Sequence, residues 1–203
     1  MIELDTVGHG EPLVLLHGVG ANRGIWRNVI DQIAAERLVL APDLPGFGDS
    51  PPVGAGFRLH EIAGALADVL SEHVTEPFDL VGNSLGSGIG RRLLLWGTIA
   101  APQQLSAQDA RRMLQASRGA SRVGAAVAAV LAADLRSELA RLDLPLGLIW
   151  GERDRIVPIA TLQSILAVRP EVVVETIPDA AHVPQLERPA EFVAALRSVL
   201  DRL

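Results

Sequence analysis

Leu80-Val81-Gly82-Asn83-Ser84-Leu85-Gly86 is the stretch whose reading decides the fold. An apolar run, Phe78 to Val81, passes at once into Gly-Asn-Ser-Leu-Gly, which fits Gly-x-Ser-x-Gly placed after a strand. A serine on a sharp turn between strand and helix has its hydroxyl held clear of the backbone. Such a turn brings neighbouring chain so near that glycine is expected two residues to either side. Alone the spacing is a weak signal, because a chain with 19 glycines produces it by chance. The surrounding chain has to separate a nucleophile turn from a glycine-rich loop.

Upstream of that stretch the apolar pattern alternates between two periods. Glu3 to Val7 and Pro12 to Leu16 read as short strands around Gly8-His9-Gly10. Leu13-Val14-Leu15-Leu16 is apolar at every position, as expected of a strand covered on both faces, and runs into His17-Gly18-Val19-Gly20. A helix is expected next, capped by Asn22 and carrying Ile25, Trp26, Val29, Ile30 and Ile33 at helical spacing. Leu38 to Ala41 is a further strand, ending in Pro42-Asp43-Leu44-Pro45-Gly46-Phe47-Gly48-Asp49-Ser50. Leu59, Ile62, Ala63, Leu66, Val69 and Leu70 make a second amphipathic helix. The C-terminal third resumes the rhythm: strand Leu146 to Trp150, short helix Ala160 to Ala167, strand Val172 to Ile177, and a last helix from about Pro189 to Leu200. Strands alternating with helices predict an α/β fold, a mostly parallel sheet with helices on both faces.

Composition narrows the function classes. A length of 203 residues predicts one domain able to bury a core. Its apolar stretches fall short of the roughly 18 residues a membrane span needs, so no membrane span is expected. Met1-Ile2-Glu3-Leu4-Asp5 is acidic with no basic region ahead of an apolar block, and is not read as a secretory signal. The absence of cysteine excludes disulfides, thiolate catalysis and cysteine-ligated zinc, and is compatible with a cytoplasmic location. A net charge of −6, with scattered arginines and no lysine, argues against a nucleic-acid surface.

With these pieces placed, the chain resembles the α/β-hydrolase superfamily in its serine-nucleophile branch. The resemblance rests on His17-Gly18-Val19-Gly20, Asp43 to Ser50, Gly82-Asn83-Ser84-Leu85-Gly86, Trp150-Gly151-Glu152-Arg153-Asp154, and Ala181-His182-Val183-Pro184-Gln185-Leu186-Glu187. It covers roughly residues 1–90 and 141–203, and the order Ser84, Asp154, His182 is the order this superfamily uses. The resemblance implies Ser84 as nucleophile, His182 as the base that takes its proton and returns it to the leaving group, and Asp154 as the residue orienting the imidazole. It implies backbone N–H groups of Val19 and Leu85 as the oxyanion hole, with no cofactor and no metal. A serine at the elbow, where some relatives carry aspartate, disfavours dehalogenases and most epoxide hydrolases.

Each candidate has a plainer alternative. Asp154 lies among Glu152, Arg153 and Arg155, where an exposed ion-pair cluster is the ordinary reading, and Asp179 is the competing acid, only three residues before His182. His17 is read as a structural residue beneath the oxyanion loop; His9, His60 and His73 are read as turn or helix-surface residues. Asp43 and Asp49 are expected to order their Pro-Gly loop.

The middle of the chain departs from the family. If Leu93 to Trp96 were the sixth strand, only residues 85–92 would connect two parallel neighbours, fewer than a crossover with its helix needs. A helix from about Leu85 to Ile99 is expected instead, weakened by Gly86, Gly88 and Gly90. Several tens of residues, the sixth strand among them, are then missing between Gly86 and Arg91. Residues 101–143 are left as a reduced helical cap within a single 1–203 domain, with helices starting near Ser106 and running from about Arg122 to Leu142. An empty strand position cannot be buried, so Leu146 to Trp150 is expected to pair directly with Phe78 to Val81. Three functions stay open: a serine hydrolase of an ester or similar small carbonyl substrate, a carbon–carbon bond hydrolase of the same fold, and a non-catalytic relative. Oligomeric state is not legible.

Overall fold

The computed structural model describes residues 1–83, 124–126, 128 and 136–203. These fall into two compact units, one carrying the described residues up to 128 and the other residues 136–203.

The first unit is built on a four-stranded sheet in the order β1-β3-β2-β4, with β1 (Leu4–Val7), β2 (Pro12–Leu16), β3 (Leu38–Pro42) and β4 (Asp79–Gly82). β1 pairs antiparallel with β3, whereas β2 pairs parallel with both β3 and β4. The continuous apolar runs explain the centre of the sheet: Leu13, Val14, Leu15, Val39, Leu40 and Ala41 are all buried. Asn22 caps as expected, accepting the Gly24 N–H at 3.1 Å, but the helix after it is two pieces. A 3₁₀ turn, Arg23–Trp26, buries Ile25 and Trp26, and α1 (Ile30–Ala34) follows. α2 (Leu59–His73) buries Ile62, Leu66 and Leu70, one per turn. Ile62 and Leu66 join Ile2, Val19, Leu44, Phe47 and Ala126 in one core cluster, while Leu70 packs with Val14 and Leu40.

The second unit carries α3 (Arg136–Arg141), β5 (Gly147–Gly151), α4 (Ala160–Leu166), β6 (Val173–Ile177), α5 (Pro184–Glu187) and α6 (Pro189–Leu200). β5 and β6 form a parallel pair, and α6 packs on both through the stripe Phe192, Val193, Leu196 and Val199. Arg169 ties the end of α3 to this unit. Its guanidinium donates to the carbonyls of Leu139, Leu142 and Leu144 at 3.2, 2.7 and 3.0 Å, the cationic partner that the carbonyl end of a helix favours.

Among the described residues the ladder of β4 runs to β2 and that of β5 to β6; the pairing expected between Leu146–Trp150 and Phe78–Val81 would run from one unit to the other and is not one of these ladders. The side chains of β4 alternate in exposure, with Leu80 at 56 % of its surface. Among the described residues nothing lies within 4 Å of a Cβ placed at Gly82, and the residues of the turn expected to approach it fall outside them. The helix expected over 85–99, the helix near Ser106, most of the cap over 101–143 and the missing sixth strand fall outside the described residues. α3 lies within the span of the helix expected from about Arg122 to Leu142.

Candidate functional site

Two groups of candidate residues are described, one in each unit. The first lies at the carboxyl ends of β2 and β4. These neighbours run parallel with Leu16 opposite Gly82, and the Asn83 N–H donates to the Leu16 carbonyl at 2.9 Å. The His17-Gly18-Val19-Gly20 turn and the residue before Ser84 therefore leave the sheet side by side, at the end where open α/β sheets bind ligands. Ser84 and Leu85 themselves fall outside the described residues, and Val19 is buried.

His17 locks that turn in place. Its Nε2 accepts the Leu44 N–H at 2.9 Å, so Nδ1 carries the proton and donates to the Gly18 carbonyl at 2.8 Å. Burial pushes its pKa down and Arg23 acts in the same sense, with the Gly18 carbonyl and Asp43 opposing. Both ring nitrogens are thus committed to backbone, which fits the structural role expected of it. Beneath it, buried Asp43 accepts the N–H groups of Arg23 at 2.7 Å and Asp49 at 2.8 Å and pairs with the Arg23 guanidinium. Arg23 also reaches Asp49 at 3.1 Å, so Asp43 and Asp49 order the Pro-Gly loop as expected. Gly48 is required there: its φ is +54°, and a Cβ would lie 2.0 Å from Asp43 Oδ2.

A pH dependence follows. Unfolded, His17 titrates near 6.5, whereas the folded protein holds it neutral to lower pH. Below that value the unfolded chain binds a proton that the folded chain resists, so stability is full above about pH 6.5 and falls as pH drops. The urea midpoint is expected to decline from pH 7.5 to 5.5, with a shallower decline in His17→Gln. Equal slopes in the two proteins would rule out this origin.

The second group is an acid–base pair. Asp154 Oδ2 lies 2.7 Å from His182 Nδ1, and the two side chains are only 7 and 6 % exposed. The other carboxylate oxygen accepts the Ile156 and Val157 N–H groups at 2.8 and 2.9 Å, so Asp154 is fixed by its own turn before it meets the ring. The carboxylate sets the imidazole tautomer, with the proton on Nδ1 and the lone pair on Nε2. Asp179 is elsewhere: it adopts φ +60°, is half exposed and pairs with Arg153. Of the two acids weighed for His182, the structure brings Asp154 to it.

The loops after β5 and β6 are stitched along their backbones. Glu152 N–H donates to Ile177 O at 3.2 Å and Arg153 N–H to Ala180 O at 2.8 Å. Gly151 permits this closeness, since a Cβ there would lie 2.1 Å from the Ala181 carbonyl oxygen and 2.6 Å from that of Ala180. Both obstacles are backbone and cannot swing aside. Gly151→Ala is therefore expected to displace the histidine segment, cost about 1–3 kcal/mol of stability, and reduce turnover on the order of 10²-fold. Wild-type melting and kinetics in that variant would contradict it.

Two features were not legible in the sequence. Gly151 looks like an ordinary turn glycine, and Glu187, which accepts the N–H groups of Ala181 and Val183, looks like a surface acid. The available signal was Pro184 three residues before Glu187, which starts a single helical turn.

Known proteins match on both sides of the chain. A profile of the alpha/beta hydrolase fold matches residues 11–96, and one of the alpha/beta hydrolase family matches residues 88–195. A pimeloyl-acyl-carrier-protein methyl ester esterase of Chromobacterium violaceum is 29 % identical over 252 positions, covering 98 % of this chain and 97 % of the relative. That aligned span exceeds the 203 residues present, so several tens of the relative's positions have no counterpart here. A 2-hydroxy-6-oxo-2,4-heptadienoate hydrolase of Pseudomonas putida is 33 % identical over 118 residues, 51 % of this chain and 43 % of the relative. Among solved structures, a thermophilic esterase from Thermogutta terrifontis superposes with a TM-score of 0.87 over 99 % of this chain and 93 % of its own, at 19 % identity, which is a likeness of fold. The chain belongs to the alpha/beta hydrolase family.

Proposed function

We propose that this chain is a serine esterase that cleaves an ester, or a similar small carbonyl compound, through an acyl-enzyme on Ser84. The observation that carries the reading is the buried Asp154–His182 pair at 2.7 Å, on the C-terminal side of a Gly-Asn-Ser-Leu-Gly turn. His182 Nε2 takes the Ser84 hydroxyl proton as Oγ attacks the carbonyl carbon. The resulting oxyanion is met by the backbone N–H groups of Val19 and Leu85. Collapse expels the alcohol, which leaves with the proton from His182. Water then attacks the acyl-enzyme with His182 again as base, releasing the acid and restoring Ser84. Asp154 holds the ring in the working tautomer and stabilises it when protonated. The chain's similarity to methyl ester esterases supports an ester over other carbonyl substrates.

Cleavage of a carbon–carbon bond is the second reading, favoured by the 33 % identical stretch shared with the heptadienoate hydrolase. On either reading residues 1–203 act as one domain with 101–143 as a reduced cap, in the cytoplasm, on a small molecule, without cofactor or nucleic acid. No helix among the described residues is long and apolar enough to cross a membrane. The test is labelling of the folded protein with a fluorophosphonate, with Ser84→Ala as control. Covalent modification at Ser84 is expected. Failure to label the folded wild-type chain would favour a non-catalytic relative.

A further inference from the structure

One carboxylate grips the histidine segment from both sides. Glu187 Oε1 accepts the Ala181 N–H at 3.1 Å and the Val183 N–H at 3.3 Å, the two amides that flank His182. Glu187 can reach back because it ends α5, a single turn begun by Pro184 and closed by the Leu186 and Glu187 N–H groups on the Val183 carbonyl at 2.9 and 3.2 Å. Ala181 and Val183 are buried, so neither amide has water to fall back on if the carboxylate is removed. The next peptide along is equally confined, since the Ala181 carbonyl abuts the position that a Gly151 Cβ would take. The backbone of His182 is thus fixed independently of the Asp154 bond to its ring. A ring held only through Nδ1 can pivot about that bond; one whose main chain is also pinned on either side cannot.

We propose that Glu187 is a positioning residue, whose carboxylate sets the main chain of His182 so that the imidazole keeps its alignment to Asp154. This rests on the hydrolase reading above. It assigns Glu187 no contact with substrate, and makes its acceptor oxygen, not its charge, the property that matters. A glutamine at 187 retains that oxygen; an alanine does not.

The experiment compares wild type, Glu187→Gln and Glu187→Ala by two readouts. One is the NMR signal of the His182 Nδ1 proton, which lies far downfield when bonded to a carboxylate and needs no substrate. The other is kcat and KM on p-nitrophenyl butyrate, measured well below the melting temperature of each protein. Glu187→Ala is expected to broaden or lose the downfield resonance and to lower kcat on the order of 10²-fold, with KM within about twofold. Glu187→Gln is expected to keep both properties close to wild type. A merely structural brace would lower the melting temperature of Glu187→Ala yet leave its resonance and kcat intact, and that result overturns the proposal. So does equal damage in Glu187→Gln. If the wild-type protein hydrolyses no ester, the esterase reading fails by itself, while the resonance in the three proteins still decides the role of Glu187.

Discussion

Ser84→Ala is expected to lower turnover of a small ester by about 10⁶-fold while leaving the melting temperature unchanged. On the proposed mechanism the effect is large because Asp154 and His182 act only through the serine: without Oγ, His182 has no nucleophile to activate and no acyl-enzyme to hydrolyse. What survives is the contribution of binding and of the oxyanion donors, on the order of 10³–10⁴ over the reaction in water. Stability should not change, since the residue sits just beyond Asn83, whose N–H on the Leu16 carbonyl already anchors the end of β4. Stopped-flow measurement with an activated ester would show the initial burst of alcohol in wild type and none in the variant. Retention of more than about a thousandth of the rate would replace the acyl-enzyme with a mechanism in which His182 activates water directly.

Asp154→Asn is expected to cost about 10⁴-fold in turnover with little change in fold. The neighbours of Asp154 dictate both halves of this result. An asparagine oxygen can still accept the Ile156 and Val157 N–H groups, so the turn survives. The amide nitrogen then faces His182 Nδ1, where the carboxylate oxygen stood at 2.7 Å, and a donor there forces the ring to accept at Nδ1 and protonate at Nε2. In that tautomer the ring cannot take a proton from Ser84. Asp179→Asn serves as the comparison: its partner is Arg153 in a solvent-exposed pair, so activity should stay within about twofold and stability within about 1 kcal/mol. The reverse ranking of the two variants would move the acid from Asp154 to Asp179.

What was legible in the sequence is what local pattern dictates. Apolar runs and loop glycines placed β2, β3, β5 and β6 to within a residue or so. Proline at the first turn and the Phe192–Val199 stripe gave α6 its observed bounds, Pro189–Leu200. The pairing of Asp154 with His182 was legible because each acid came with its own distance from the histidine, and Asp179 shares too short a loop to fold back onto the ring. Strand pairing was less accessible. The neighbour of β4 is settled by contacts far apart in the chain, and a pattern of apolar residues cannot say which of several open edges a strand will join. The break between Arg23–Trp26 and α1 was hidden for a related reason. The 3.6-residue spacing of Ile25, Val29 and Ile33 persists across it, while the burial of Trp26 and the cap of Asn22 decide where the turns close. Glu187 was illegible because an acceptor's role lies in the direction of its oxygen, which a residue name does not carry.

The Asp154–His182 bond closes over 28 residues of chain, and the hydrogen bonds described around it come from residues 151–187. Closing a longer loop costs little more, since each doubling of its length adds only about 0.6 kcal/mol. Asp154 and His182 therefore form a self-contained cassette, set apart in sequence from the proposed nucleophile Ser84. Insertions and deletions between the two can accumulate over evolutionary time without disturbing the alignment inside the cassette. A lineage is then free to rewrite the intervening residues while the pair of Asp154 and His182 keeps its geometry.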